Sequence, residues 1–272
     1  MLNSLKRIDG YKVVARDAEV GTVREAYFDD ANWVIRHLVV ATGGWFSGRD
    51  VLISPHSISA LNPEYERVDA ALTRKQIEEA PGIDTDQPVS RQHEIPYYDY
   101  YGYPYYWAGA GLWGAAAYPL AGAGLAVPPR GAALPREVAE RQAAEREQGD
   151  LHLRSSAEVI GYGVEASDGS IGHIEDFLFD PRSWAIRYAV VSTRNWLPGR
   201  HVLIAPDWIE SVSWSERRAR VELSRDAIKA SPPYDRDAPP LSDADEATLH
   251  RHYGRRRGET LTPTLSRERQ KG

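Results

Sequence analysis

The sequence contains no cysteine, which removes several classes of site at once. Without a thiol there can be no disulfide framework, no thiolate zinc site and no cysteine nucleophile. The first ten residues, MLNSLKRIDG, reach charge and a glycine before any apolar run can form, so no secretory signal peptide is expected. Together these absences favour a cytoplasmic location.

A strong excess of charge of one sign is also missing. The chain carries 33 basic and 39 acidic residues, which give a formal net charge of -6. Proteins that hold phosphate backbones need a basic surface, so a nucleic-acid partner is not expected. The eight histidines are scattered, and no Gly-x-Ser-x-Gly elbow is present. The sequence therefore predicts no catalytic residue, no metal site and no cofactor.

What the sequence does contain is an internal repeat. Residues 10–84 align with residues 161–235 at a constant offset and without a gap, and 28 of the 75 aligned pairs are identical. Such self-similarity indicates a duplicated structural unit. We predict units at residues 1–86 and 151–237, each able to fold alone. The remaining stretches are predicted to be a linker with a short charged helix, 87–150, and a disordered basic tail, 238–272.

Each copy reads as a series of short strands. Runs rich in β-branched and aromatic residues alternate with turn residues every 8–12 positions, which is typical of an antiparallel barrel or sandwich. In the first copy the clearest strands are Thr22–Phe28, Val34–Ala41 and Asp50–Ser54. Thr73 and Ser224 are predicted to be the N-caps of a short helix that closes each copy.

The middle of the chain allows two interpretations. Residues 108–127 carry no charge, and twenty residues are enough to cross a bilayer. Thirteen of those twenty are alanine or glycine, however, and Pro119 interrupts them, which favours a flexible or barrel-covering linker. Membrane association is therefore not favoured. The Gly-x-G-x-x-Gly pattern at 109–114 lacks the preceding strand and following helix of a dinucleotide site.

Several residues recur at equivalent positions and are candidates for a role. Two arginines lie inside strands and two tryptophans lie in glycine loops, and these four are the candidate partner-binding residues: Arg36, Arg187, Trp45 and Trp196. A structural ion pair is the alternative for the arginines. Four glycines are predicted to serve turns: Gly21, Gly172, Gly48 and Gly199. Trp33 and Trp184 are predicted to fill the core.

Three motifs follow one another in both copies. Val20-Gly21 is matched by Ile171-Gly172, and Phe-Asp with Trp-x-Ile-Arg recurs at 28–36 and 179–187. Gly-Arg-x-Val-Leu-Ile-x-Pro completes the series at 48–55 and 199–206. In this order the motifs resemble the PRC-barrel family, which includes the cytoplasmic domain of the photosynthetic reaction centre H subunit and the C-terminal half of ribosome-maturation factors. The resemblance implies two tandem six-stranded antiparallel β-barrels, each with a short C-terminal helix.

The resemblance also sets the functional expectation. In the reaction centre the module caps the cytoplasmic face, and in the ribosome factors it docks a protein of the small subunit. The first expectation is therefore a non-enzymatic protein-interaction and assembly module. Its protein partner is of unknown identity, and a homo-oligomer is compatible with this expectation. The alternative is a membrane-surface accessory of a reaction-centre-type electron-transfer complex. An acidic cluster of Glu25, Asp29 and Asp30 is the feature that hints at it.

The loop tryptophans give a test of the interaction hypothesis. Trp45→Ala and Trp196→Ala should weaken partner binding, because an aromatic ring in a partner's pocket contributes about 2 kcal/mol or more. The free energy of unfolding should change by less than about 1.5 kcal/mol. Losses of about 3 kcal/mol or more in both variants, as for core aromatics, would instead make the rings part of the fold. Chemical denaturation and partner titration measure the two quantities.

Overall fold

The two copies of the repeat form two separate sheets with the same strand order. The computed structural model describes residues 1–43, 50–81, 91–120, 153–193, 200–236, 238 and 241–255. The strands of the first half are β1 (Asn3–Ser4), β2 (Lys12–Val14), β3 (Glu19–Asp29), β4 (Val34–Ala41), β5 (Asp50–Ile53), β6 (Ile58–Asn62) and β7 (Arg67–Ala70). Those of the second half are β8 (Leu153–Ser155), β9 (Gly163–Ala166), β10 (Gly169–Phe179), β11 (Ile186–Ser192), β12 (His201–Ile204), β13 (Ile209–Ser213) and β14 (Arg218–Val221).

Helices are few and short. They are α1 (Leu5–Ile8), α2 (Arg74–Glu78), α3 (Arg91–Tyr101), α4 (Ser156–Val159), α5 (Arg225–Ala230) and α6 (Asp243–His252). The predicted N-caps are confirmed, since Thr73 accepts a hydrogen bond from the Gln76 amide and Ser224 accepts one from the Ala227 amide. The fold is therefore mostly β and contains a duplicated unit.

Strand order is identical in the two units, but neither is a closed antiparallel barrel. The first unit has the order β5-β4-β3-β2-β7-β6, and the second has β12-β11-β10-β9-β14-β13. The pairs β2–β7 and β9–β14 are parallel, and every other pair along the two paths is antiparallel. Among the described residues the end strands of each path do not pair with one another. The prediction of six-stranded antiparallel barrels is corrected to two seven-stranded mixed sheets.

The seventh strand of each sheet comes from the other unit. β1 pairs with β10 of the second unit, and β8 pairs with β3 of the first. The short helices α1 and α4 follow these strands and are carried across with them. Each unit thus donates its N-terminal segment to its neighbour and receives the corresponding segment in return.

A serine and a carboxylate hold each donated segment at equivalent positions. The Ser4 hydroxyl donates to an oxygen of Asp176 at 2.5 Å, and the Lys6 amide donates to the other oxygen at 2.9 Å. In the reciprocal contact the Ser155 hydroxyl donates to Glu25. Both serines also cap the helix that follows them. One side chain therefore begins the helix and joins it to the other unit.

Strands β4 and β11 meet where the two units face each other. The Ile35 amide donates to the carbonyl of Trp184 at 2.9 Å, and the Ile186 amide donates to the carbonyl of Trp33 at 2.7 Å. Trp33 stacks on Phe28 as Trp184 stacks on Phe179, with ring centroids 5.3 Å apart in both pairs. Trp184 is buried and Trp33 packs against the core from a partly buried position, as predicted. Buried apolar residues of both units form one continuous cluster.

Gly21 and Gly172 lie inside strands β3 and β10 rather than in turns. A Cβ at either position would overlap a backbone carbonyl oxygen of the neighbouring strand, that of Ala41 or that of Ser192. The pairing register of both strands also shifts here, as at a β-bulge. Glycine is therefore required at both positions by a close approach of strands and not by a turn. Gly48 and Gly199 lie outside the described residues.

The exchange predicts that the halves depend on each other. Residues 1–120 and 151–272, expressed separately, should each lack the seventh strand and the carboxylate contact that the other supplies. We expect neither half alone to unfold cooperatively as a monomer, and we expect a 1:1 mixture to recover a cooperative transition. Circular dichroism with sedimentation velocity measures both properties. Monomeric halves with cooperative unfolding would show that the exchange is dispensable and that the expectation of independent units was right.

Candidate functional site

A corresponding surface of each unit is covered by a helix that lies outside the sheets. We call it the docking surface, and it consists of β4, the turn Pro55–Ser57 and α2 in the first unit, and of β11, the turn Pro206–Trp208 and α5 in the second. Helix α3 covers the first docking surface and α6 covers the second. The interpretation of residues 108–127 as a flexible or barrel-covering linker stays a prediction.

Helix α3 docks through a carboxylate and a row of tyrosines. Glu94 Oε1 lies 3.1 Å from His37 Nε2, and both side chains are fully buried. The Tyr97 hydroxyl donates to the carbonyl of Leu52 at 2.9 Å, and the Tyr100 hydroxyl donates to the carbonyl of Gln76 at 3.0 Å. The helix therefore binds both side chains and backbone carbonyls of the first unit.

The segment after α3 is fastened by Arg36. This arginine is 1% exposed and forms an ion pair with Asp29 at 3.0 Å. It also donates to the carbonyl of Leu112 at 2.6 Å, and its guanidinium lies 3.7 Å from the ring centroid of Tyr106 and 4.7 Å from that of Trp113. Burial alone would raise the pKa of Asp29, but Arg36 and nearby hydrogen-bond donors outweigh it and lower that pKa.

Arg36 and Arg187 occupy different environments although they align. Arg187 lies 3.5 Å from Glu246 of α6, and its side chain is 38% exposed. Both arginines contact a covering segment of their own chain. Partner binding by either remains a prediction, and only Arg187 presents surface to solvent.

The same segment after α3 also reaches the second unit. The Trp113 indole donates to the carbonyl of Ser183 at 2.8 Å, and Trp113 is 1% exposed. Within residues 108–120, Leu112 and Trp113 are therefore fastened to the first and second units, and residues 121–127 are outside the described part of the chain. Among the described residues no helix is both long and apolar enough to span a bilayer.

Helix α6 makes the corresponding contacts on the second unit. His250 Nε2 lies 3.0 Å from the Tyr188 hydroxyl, and its ring centroid is 5.3 Å from that of Trp208. His252 Nε2 contacts the carbonyl of Ala227 at 2.8 Å, and Ala227 aligns with Gln76. The predicted disordered tail is therefore wrong for residues 243–252, and it is corrected to a docked helix whose first turn is acidic.

The two covering helices share one pattern at an offset of 152 residues. Glutamate, two buried side chains and tyrosine-glycine recur with the same spacing: Glu94, Tyr97, Tyr98, Tyr101, Gly102 and Glu246, Leu249, His250, Tyr253, Gly254. Both glycines end the helix with a positive φ, 68° and 65°. In both, the amide of the next residue donates five residues back at 2.9 Å, the contact of a Schellman cap.

This extension of the repeat was missed in the sequence. The constant offset changes by one residue between the sheet unit and the helix, so a gapless alignment stops before it. Only three positions in twelve are identical over residues 91–102 and 243–254. The recurring Tyr-Gly seven residues after a glutamate was the available signal.

The remaining candidates are placed as follows. Trp45 and Trp196 lie outside the described residues, so their role stays a prediction. The acidic cluster is engaged within the chain, because Asp29 pairs with Arg36, Asp30 pairs with Arg154 at 2.8 Å and Glu25 receives the Ser155 hydroxyl. Among the described residues no group of His, Cys, Asp and Glu has the arrangement of a metal site.

Comparison with known families places the first unit. Residues 2–69 match the family model of the PRC-barrel domain. This segment is a PRC-barrel domain. It begins with β1, the strand donated to the second unit, and ends within β7, so the PRC-barrel domain includes the exchanged segment. A search of curated proteins found no match to the chain.

The two aligned arginines provide a matched pair for mutagenesis. Arg36→Leu leaves Asp29 buried without its arginine beneath the segment that follows α3, which should reduce the free energy of unfolding by about 3–5 kcal/mol. Arg187→Leu removes a longer contact, 3.5 Å from Glu246, whose arginine is 38% exposed, and should cost less than Arg36→Leu. Urea titration measures both. Equal losses of unfolding free energy in the two variants would show that the segment after α3 is not fastened through Arg36.

His56 makes the cover of the first unit, which consists of α3 and the segment that follows it to Leu120, sensitive to acid. Burial, together with the nearby charges of Arg36 and His37, lowers the pKa of His56 from its ordinary value of 6.5 to about 4. Its Nδ1 accepts the Leu120 amide at 3.2 Å, and its ring meets Trp113 with centroids 4.9 Å apart. Between pH 6.5 and 4 the unfolded chain binds a proton that the folded chain does not, so stability falls as pH falls.

We expect the protonation of His56 to lower the free energy of unfolding by about 3 kcal/mol between pH 6.5 and pH 4. Denaturation at several pH values should give a shallower pH dependence for His56→Gln than for the wild type, with His173→Gln as a control outside the cover. If the two variants show the same slope as the wild type, His56 does not couple the cover to pH.

Proposed function

We propose that the chain is a non-enzymatic protein-interaction and assembly module built from two PRC-type units. The proposal extends the family from residues 2–69 to the second sheet, on the basis of the gapless repeat and the common strand order. One observation carries the functional part. In both units the same surface binds a helix that belongs to neither sheet.

The docking surface has the chemistry of a protein interface. The second surface presents the buried rings of Tyr188 and Trp208 to α6, and Arg187 pairs with a glutamate of that helix, as in other interfaces. The first surface accepts a tyrosine-rich helix and the second accepts a helix with leucine and histidine at the corresponding positions. Recognition therefore depends on a spacing of side-chain types that different polypeptides can supply.

The exchange gives the proposed module a fixed geometry. Reciprocal segments and the continuous core hold the two docking surfaces at one separation. A partner that contacts both units would bind the second at high effective concentration. This supports an assembly role more than a role as a single isolated adaptor.

The reaction-centre alternative receives less support. Its hint was the acidic cluster of Glu25, Asp29 and Asp30, and each of these carboxylates holds an internal contact of the fold. A carboxylate committed to an arginine or a serine is poorly suited to relay protons. We therefore propose interaction as the function, in the cytoplasm.

Affinity capture of the tagged full-length chain from soluble and membrane fractions tests the proposal. We expect a protein partner that is retained reproducibly in the soluble fraction and forms cross-links to defined surfaces of the folded chain. The Arg36→Leu variant, in which the fold is weakened, controls for non-specific retention. Recovery only from carbonate-washed membranes would favour the accessory role, and turnover of a small molecule without any protein partner would contradict the proposal.

A further inference from the structure

We propose that the docking surface of the second unit is a receptor for a helix of another protein, and that α6 is an internal occupant which such a helix replaces. The inference rests on the proposed interaction function and adds the site and the pattern recognised. The expected partner carries an amphipathic helix with the order Glu-x-x-Φ-Φ-x-x-Tyr-Gly, in which Φ is a large or aromatic side chain.

The pattern is defined by two independent examples within this chain. Helices α3 and α6 dock on equivalent surfaces although nine of twelve aligned residues differ between residues 91–102 and 243–254. Glu94 contacts His37 on β4, and Glu246 contacts Arg187 on β11. Arg187 aligns with Arg36, the residue next to His37. The residues that the two helices share are a glutamate and a tyrosine that face the surface and a glycine that caps the helix. The surface therefore selects a spacing, and a helix from another protein that has this spacing meets the same contacts.

The first unit is not the receptor, because its occupant is locked. Arg36 and Trp113 are both 1% exposed and fasten the segment after α3 to both units. Opening this surface would leave the Arg36–Asp29 pair without its aromatic cover. The opening would also break the hydrogen bonds from Arg36 to Leu112 and from Trp113 to Ser183 and expose the buried ring of Trp113 to water, which makes it costly.

The second occupant is held less completely. Arg187 is 38% exposed and lies 3.5 Å from Glu246, at the long end for an ion pair. An open cleft of about 430 Å³ lies beside the start of α6, lined by residues that include Leu203, Pro232, Tyr234 and Leu249. Incomplete packing there removes contacts that would otherwise stabilise the bound helix. Helix α6 is thus the part of the cover that can exchange.

The test uses the full-length chain and a fluorescent peptide with the sequence of residues 241–255. Leu249→Ala with Tyr253→Ala weakens α6 and leaves the surface intact. We expect the peptide to bind this variant at least about tenfold more tightly than it binds the wild type, because the internal competitor is weakened. A control peptide with lysine for the glutamate and alanine for the tyrosine should not bind.

A charge exchange keeps the test decisive if the double variant does not fold. In the Arg187→Glu chain, the native peptide should lose affinity and a peptide with arginine in place of its glutamate should regain it. Equal binding of native and control peptides, or no peptide binding to any form, overturns the inference. Peptide-free dimerisation of the weakened variant also overturns it, since the occupant would then be a second copy of this chain. If the peptide fails while affinity capture still yields a partner, the receptor surface is wrong and the proposed function stands.

Discussion

The structure depends on the reciprocal exchange of N-terminal segments between its two sheets. Each sheet obtains its seventh strand and a capped helix from the other half of the chain. Asp176 shows why this constraint is strong: burial raises the pKa of its carboxyl, and the Ser4 hydroxyl with two backbone amides stabilises the charged form. Removing the donated segment would take away two of these three donors, the Ser4 hydroxyl and the Lys6 amide. We therefore expect the two units to unfold together, although each keeps its own docking surface.

The exchange also explains where function can reside. It buries β4 and β11 where the units meet, so the contacts Ile35–Trp184 and Ile186–Trp33 are unavailable to any partner. The docking surfaces lie beside this junction and are already shaped to accept helices. The chain covers the first surface with a long aromatic segment and the second with α6 alone among the described residues. This asymmetry, and not the symmetric sheets, gives the two copies different proposed roles.

Much of this fold could be read from the sequence. The gapless repeat located both sheets, and β4 was predicted with its observed bounds because turn residues punctuate short apolar runs. The exchange could not be predicted, because nothing in the sequence around Ser4 and Ser155 indicates which of the two units each serine contacts. A repeat is equally consistent with separate or interlocked copies. The parallel pairs β2–β7 and β9–β14 were missed for a similar reason, because periodicity reports strands and not their neighbours.

The candidate site was less accessible to sequence reasoning. Arg36 and Arg187 looked equivalent, and only the structure shows that a buried aspartate pairs with the first while a helix from the tail reaches the second. The shared pattern of α3 and α6 was hidden by a one-residue change of offset. Trp45 and Trp196, the strongest candidates from the sequence, lie outside the described residues.

Scanning calorimetry of the intact chain tests the central claim most directly, namely that the exchange makes both sheets one cooperative unit. The account predicts a single transition whose calorimetric and van't Hoff enthalpies agree. It also predicts that Arg36→Leu lowers the temperature of that whole transition, including any signal from the second unit. Two separable transitions, with only one of them moved by the substitution, would contradict it.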